Sequence, residues 1–99
     1  MGYLDVSKHL NSFSSNEDGR KVYDYVFKKL DKGESVTVSF SGINGLTTSF
    51  VNSAFIELLE SFPVDHIKKN LKFVNTTPQI NGIINKRFRF EVERKKEAV

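Results

Sequence analysis

Residues 36–62, VTVSFSGINGLTTSFVNSAFIELLESF, constrain the fold more than any other stretch. Val36, Val38 and Phe40 fall on one face of an alternating run whose other face carries only Thr37 and Ser39. Such a run predicts a strand over 35–41. Small neutral residues on its second face predict a central strand that can be covered on both sides. Gly42 and Gly45 then punctuate a turn. Beyond it Phe50, Val51, Ala54, Phe55, Leu58, Leu59 and Phe62 recur at helical spacing and predict a helix over 48–62, stopped by Pro63. Its apolar arc is wider than a surface helix needs. The helix is therefore expected to be the most buried of the fold, or to have an outer edge that a homodimer covers.

The remainder reads as elements that pack against this unit. Tyr3-Leu4-Asp5-Val6 alternates as a short edge strand does, and residues 11–16 form a polar loop. Ser15 followed by Asp18 predicts a capping box opening a helix over 17–32, with Val22, Tyr23, Val26, Phe27 and Leu30 on one face and Gly33 beyond its end. Val64–Asn70 fits a short amphipathic turn, and Leu71–Asn75 a second core strand. Thr76-Thr77-Pro78 is a hydroxyl cap followed by a proline suited to the first helical position. The helix after it presents Ile80, Ile83, Ile84 and Phe88 and is expected to end near residue 87. From there Phe88, Phe90 and Val92 alternate with charges, so a terminal strand is an alternative, and 89–99 is otherwise a basic tail. Strand and helix alternate in a chain of 99 residues, which predicts one α/β layer domain with a mixed, partly parallel sheet. In such sheets the working crevice lies at the carboxyl ends of the strands, here Ser41-Gly42 and Asn75-Thr76-Thr77.

Composition excludes several classes. There is no Cys, hence no disulfide framework and no thiolate metal site. No apolar run approaches the roughly 20 residues that span a bilayer, and residues 1–10 lack a signal-peptide pattern, so a cytoplasmic protein without membrane contact is expected. No phosphate-binding loop, dinucleotide fingerprint or metal-ligand spacing is present, and His9 and His66 stand apart from any paired nucleophile. The expectation is a protein without catalysis, cofactor or metal. The net charge of +3 is concentrated in Lys86, Arg87, Arg89, Arg94, Lys95 and Lys96, a cluster able to contact a nucleic-acid backbone but more often a solvated helix face.

Thr47-Thr48-Ser49 marks the start of the apolar helix. One of these residues is expected to cap it, which contributes about 1 kcal/mol. A phosphate at the same place would be favoured by the helix dipole and unpaired amides, and would put charge on a docking surface.

The order VTVSFSGINGLTTSF, apolar helix, LKFVNTTPQINGIINK resembles the STAS-like domain family of unknown function, related in fold to the STAS domains of anti-sigma factor antagonists. The residues that carry the likeness are Ser39-Phe40-Ser41-Gly42, Ser49-Phe50, Val74-Asn75 and Pro78-Gln79-Ile80, preceded by the helix holding Gly19-Arg20; it spans about residues 15–88. The resemblance implies a small α/β domain without catalysis. It also implies that Thr48, or Ser49 beside it, stands where better understood STAS relatives are phosphorylated by a partner kinase. This chain has Thr47, Phe50 and Ser39 where those relatives have Asp, Gly and a strand Asp.

Two functions are therefore expected in competition. The first is a regulatory protein-interaction domain. It presents the 42–50 loop to a kinase-like ATPase or another signalling protein, with contacts at Asn44, Thr47, Thr48, Ser49 and Asn52. The second is a nucleic-acid module using the basic C-terminal segment. A small-ligand pocket at the strand ends is a third, with no sequence feature of its own.

Overall fold

A computed structural model describes residues 2–10 and 12–97, with side chains through residue 95. Three strands form one sheet in the order β1 (Gly2–Asp5), β2 (Val36–Ser39), β3 (Leu71–Val74), and both pairings are parallel. The parallel part of the expected sheet is thus the whole of it, and β2 is central as predicted. The helical elements are α1 (Val6–His9), α2 (Asn16–Asp31), α3 (Thr48–Ala54), a 3-10 segment (Ile56–Glu60), α4 (Val64–Asn70) and α5 (Pro78–Glu97).

The chain steps across the sheet in one direction, from β1 to β2 to β3. Two crossovers of the usual right hand, stepping the same way, place their helices on the same face. Burial agrees. In register, Gly2, Val36 and Leu71 are buried, as are Leu4 and Val38, while on the opposite face Tyr3 and Lys72 are exposed and Thr37 is half-buried. The second face is therefore not covered by helices, contrary to the expectation for β2. Only Ser39 is fully buried there, beneath the side chain of Asn75.

The core is aromatic. Phe40, Phe55 and Phe73 meet with ring centroids 5.0–6.2 Å apart, two of the three pairs edge to face, and Phe50 is fully buried in the same cluster. α2 and α3 pack very closely: a Cβ on Gly19 would lie 2.7 Å from the Phe50 carbonyl oxygen and 2.8 Å from Ser53 Cβ. The capping box forms as expected, with Ser15 Oγ accepting from Asp18 N–H at 3.1 Å and Asp18 Oδ2 from Ser15 N–H at 3.4 Å.

Three further expectations change. The 48–62 helix breaks at Phe55 and continues as a 3-10 segment. Ile56, Leu58 and Leu59 of this segment are buried, and α5 is in contact with it. Residues 64–70 form a helix of two turns rather than one. The last helix does not stop near residue 87, no terminal strand forms among the described residues, and 89–97 is helical rather than a tail. Arg87 and Glu91, the polar residues on its inward face, satisfy each other at 3.0 Å, and Arg87 Nε donates to Asn52 Oδ1 at 2.8 Å. Residues 98–99 and Asn11, which fall in the expected tail and loop, lie outside the described residues. His66 is half-buried: Nε2 lies 3.1 Å from the Leu30 carbonyl oxygen and Nδ1 3.3 Å from Asn70 Nδ2, contacts that fit the Nε2–H tautomer and tie α4 to the end of α2.

Candidate partner-binding loop at the strand ends

Because the strands are parallel, their carboxyl ends share one edge of the sheet. There β2 leaves through Phe40, whose N–H still bonds the Val74 carbonyl at 3.1 Å, and turns at Gly42, which has φ +80°. β3 leaves through Asn75, which adopts φ +54°, a conformation asparagine tolerates better than most residues. Asn75 Nδ2 donates to Ser39 Oγ at 2.8 Å, and Ser41 N–H reaches the same oxygen at 3.3 Å. One buried serine thus joins the two strand exits.

The segment from Gly42 to Thr47 has no regular secondary structure, yet it is held at three points. Thr77 Oγ1 donates to the Asn44 carbonyl at 2.9 Å while accepting from Ile80 N–H at 3.2 Å, so the cap of α5 also anchors the loop. Gln79 Oε1 accepts from Leu46 N–H at 2.9 Å and its Nε2 donates to the Leu46 carbonyl at 3.2 Å. Thr47 Oγ1 accepts from Phe50 N–H at 3.1 Å, capping α3, and donates to the Ser14 carbonyl at 2.8 Å. Ile43 and Leu46 are buried beneath the loop. An open cleft beside it is lined by residues 12–14, 45–47 and Gln79.

The sequence-predicted contacts separate on this frame. Asn44 and the run Thr47, Thr48, Ser49 are exposed, on either side of buried Leu46. Thr47 is the cap, with its hydroxyl engaged in both directions. The Thr48 and Ser49 hydroxyls have no hydrogen bond among the described residues. Asn52 lies further along α3, half-buried and committed to Arg87. The basic cluster is less uniform than its sequence suggests. Arg87 is engaged, Lys95 Nζ donates to the Leu59 carbonyl at 2.6 Å, and Arg94 Nη1 lies 3.9 Å from Glu91 Oε1. Lys86 and Arg89 are exposed, and the Lys96 side chain is outside the described ones. His9 is exposed, its ring centroid 6.3 Å from that of Tyr25.

Sequence reasoning missed Gln79, Asn75 and Ser39 as the groups that shape the loop. Thr77-Pro78 signalled a helix start, but nothing in the residue order shows that the second helical side chain turns back to a backbone 33 residues earlier.

These features define a small α/β domain with an ordered, polar loop at the carboxyl edge of a parallel sheet. The chain belongs to the family of STAS-like domains of unknown function, whose family model matches residues 18–81. The match begins at the capping box of α2 and ends just after Gln79, so it encloses the loop and the Thr77, Gln79 and Thr47 side chains, though not Ser14. No curated protein and no solved structure gives a significant match. No helix among the described residues is long and apolar enough to cross a membrane, and no group of His, Asp or Glu among them is placed to hold a metal ion.

Proposed function

We propose that this chain is a non-enzymatic regulatory domain that presents the 42–50 loop and the exposed edge of α3 to a protein partner. The observation that supports it best is the anchoring of the loop: an irregular segment held by Thr77, Gln79 and Thr47 keeps Asn44, Thr48 and Ser49 at the surface in one arrangement. Preorganisation of this kind lowers the entropy lost when a partner docks. The partner is a kinase-like ATPase or another signalling protein of the cytoplasm, and Thr48 or Ser49 is the residue it phosphorylates. Both side chains lie in the first turn of α3, exposed and with hydroxyls that make no hydrogen bond among the described residues. A phosphate there adds nearly two negative charges and three strong acceptors to the docking surface.

The test is capture and identification of the partner from native lysate, repeated with Asn44→Ala and Thr48→Glu. Both variants are expected to lose the partner while Lys86→Gln with Arg89→Gln retains it. The opposite pattern, with binding that weakens steeply in salt, would assign the activity to the basic face of α5. Mass spectrometry of the endogenous protein decides the modification: an unmodified 47–50 peptide under all growth conditions removes the kinase.

A further inference from the structure

The chain contains two Asn-Gly pairs, Asn44-Gly45 and Asn81-Gly82. In such a pair the following amide nitrogen can attack the asparagine carboxamide, because glycine has no Cβ to obstruct the approach. The fold treats the two pairs in opposite ways. Asn81 and Gly82 lie within α5, where helical geometry commits the Gly82 N–H, the nucleophile, to a carbonyl four residues back. Asn44 and Gly45 lie in the irregular loop. Asn44 is exposed, and neither its carboxamide nor the Gly45 N–H makes a hydrogen bond among the described residues.

We infer that Asn44 is a site of spontaneous deamidation in the native protein, with water as the only co-reactant, and that Asn81 is protected. The Gly45 nitrogen forms a bond to Asn44 Cγ. The carboxamide nitrogen leaves as ammonia, carrying away the proton that the Gly45 nitrogen loses, and a cyclic imide remains. Water then opens one of its two carbonyls. Cleavage at Cγ restores the ordinary backbone with a carboxylate in place of the amide. Cleavage at the main-chain carbonyl routes the backbone through the side chain and lengthens it by one methylene. That second product matters because the Asn44 carbonyl is bonded to Thr77 and Leu46, two residues on, is bonded to Gln79. A longer backbone between two fixed points cannot keep both. The chemistry does not depend on the loop's being a docking surface.

The full chain is incubated at neutral pH and physiological temperature, and an equal sample in denaturing urea. Both are mapped by peptide mass spectrometry with enzymatic labelling of isoaspartate. In the native sample Asn44 is expected to lose its amide progressively while Asn81 keeps it; in urea both are lost. A native Asn44 that persists while urea converts both overturns the inference, and so does equal loss of both in the native sample. The deamidated fraction, separated by its added negative charge and with its isoaspartate content given by the labelling, is expected to exchange the Leu46 amide hydrogen faster than fresh protein in proportion to that content. Unchanged exchange overturns the coupling to Gln79.

Discussion

The carboxamide of Gln79 pairs with the main chain of Leu46 as a neighbouring strand would, accepting at 2.9 Å and donating at 3.2 Å. A side chain of α5 thus supplies the backbone partner that the loop lacks. Gly45 is part of the same fit, since a Cβ there would lie 2.9 Å from Gln79 Oε1.

Gln79→Ala removes both bonds and leaves a half-buried N–H and carbonyl to water. The expected loss is about 1–2 kcal/mol, the usual range for a partly exposed pair. Its signature is local: the Leu46 amide loses hydrogen-exchange protection while β2 keeps its own. Gln79→Glu retains the acceptor but removes the donor, so it is expected to fall between wild type and alanine at neutral pH. If Leu46 exchanges at the same rate in all three proteins, Gln79 does not hold the loop.

The three hydroxyls at 47–49 have unequal roles. Thr47→Ala deletes the α3 cap and the tie to Ser14, with an expected cost of about 1 kcal/mol, read as a lower midpoint in urea. Thr48→Ala and Ser49→Ala touch exposed hydroxyls without partners and are expected to stay within about 0.5 kcal/mol of wild type. Equal losses at Thr47 and Thr48 would place the cap elsewhere.

The chain read in order yields its elements well where one periodicity dominates. Val22, Val26 and Leu30 on α2, and Val36, Val38 and Phe40 around β2, all lie in the core as their spacing requires. It yields less where tertiary contacts override local pattern. The alternation from Phe88 to Val92 has strand period, yet Arg87 finds Asn52 and Glu91, and a helix with a satisfied polar pair inside its apolar face replaces the strand. Phe55 belongs to the apolar arc of a continuous helix by spacing, yet it marks a change of winding, with its ring packed edge to face at 5.0 Å on Phe73 of β3. The loop was visible as a turn with a cap. Its anchoring was not, because it depends on residues 77 and 79, which only the fold brings near residues 44 and 46.

The N-terminus of α2 is expected to be acid-sensitive. The Ser12 hydroxyl, donating to Asp18 Oδ2 at 2.5 Å, and then the Ser15 hydroxyl hold the Asp18 carboxyl below its ordinary value of 3.8. A depressed folded-state pKa contributes stability that is present above the unfolded value and lost as pH falls through the folded one. Between neutral pH and about pH 5 this contribution is therefore constant, and it declines as the medium becomes more acid than an unfolded aspartate requires for protonation. Asp18→Asn removes the titration while keeping the side-chain shape. Thermal melts across that acid range are expected to show a shallower decline for the variant. Parallel declines would mean that other carboxylates control the acid limb.

Two glycines inside helices make opposite predictions under the same substitution. By intrinsic propensity alone, Gly→Ala in a helix interior stabilises by about 1 kcal/mol. At Gly82 a Cβ meets nothing within 4 Å, so Gly82→Ala is expected to realise that gain. At Gly19 the same Cβ would sit 2.7 Å from the Phe50 carbonyl oxygen, 2.8 Å from Ser53 Cβ and 3.1 Å from the Ala54 nitrogen. Two of these are backbone atoms and cannot rotate away. α2 and α3 must then move apart, opening the contact that Ser53 Oγ makes with Asn16 Oδ1 at 2.9 Å and separating the wall that supports Phe50 from α2. Overpacking of this kind costs about 1–3 kcal/mol, enough to outweigh the propensity gain and reverse the sign. Urea titrations of the two single variants against wild type give the answer directly. A Gly19→Ala protein as stable as Gly82→Ala would show that the two helices do not approach as closely as the structure places them.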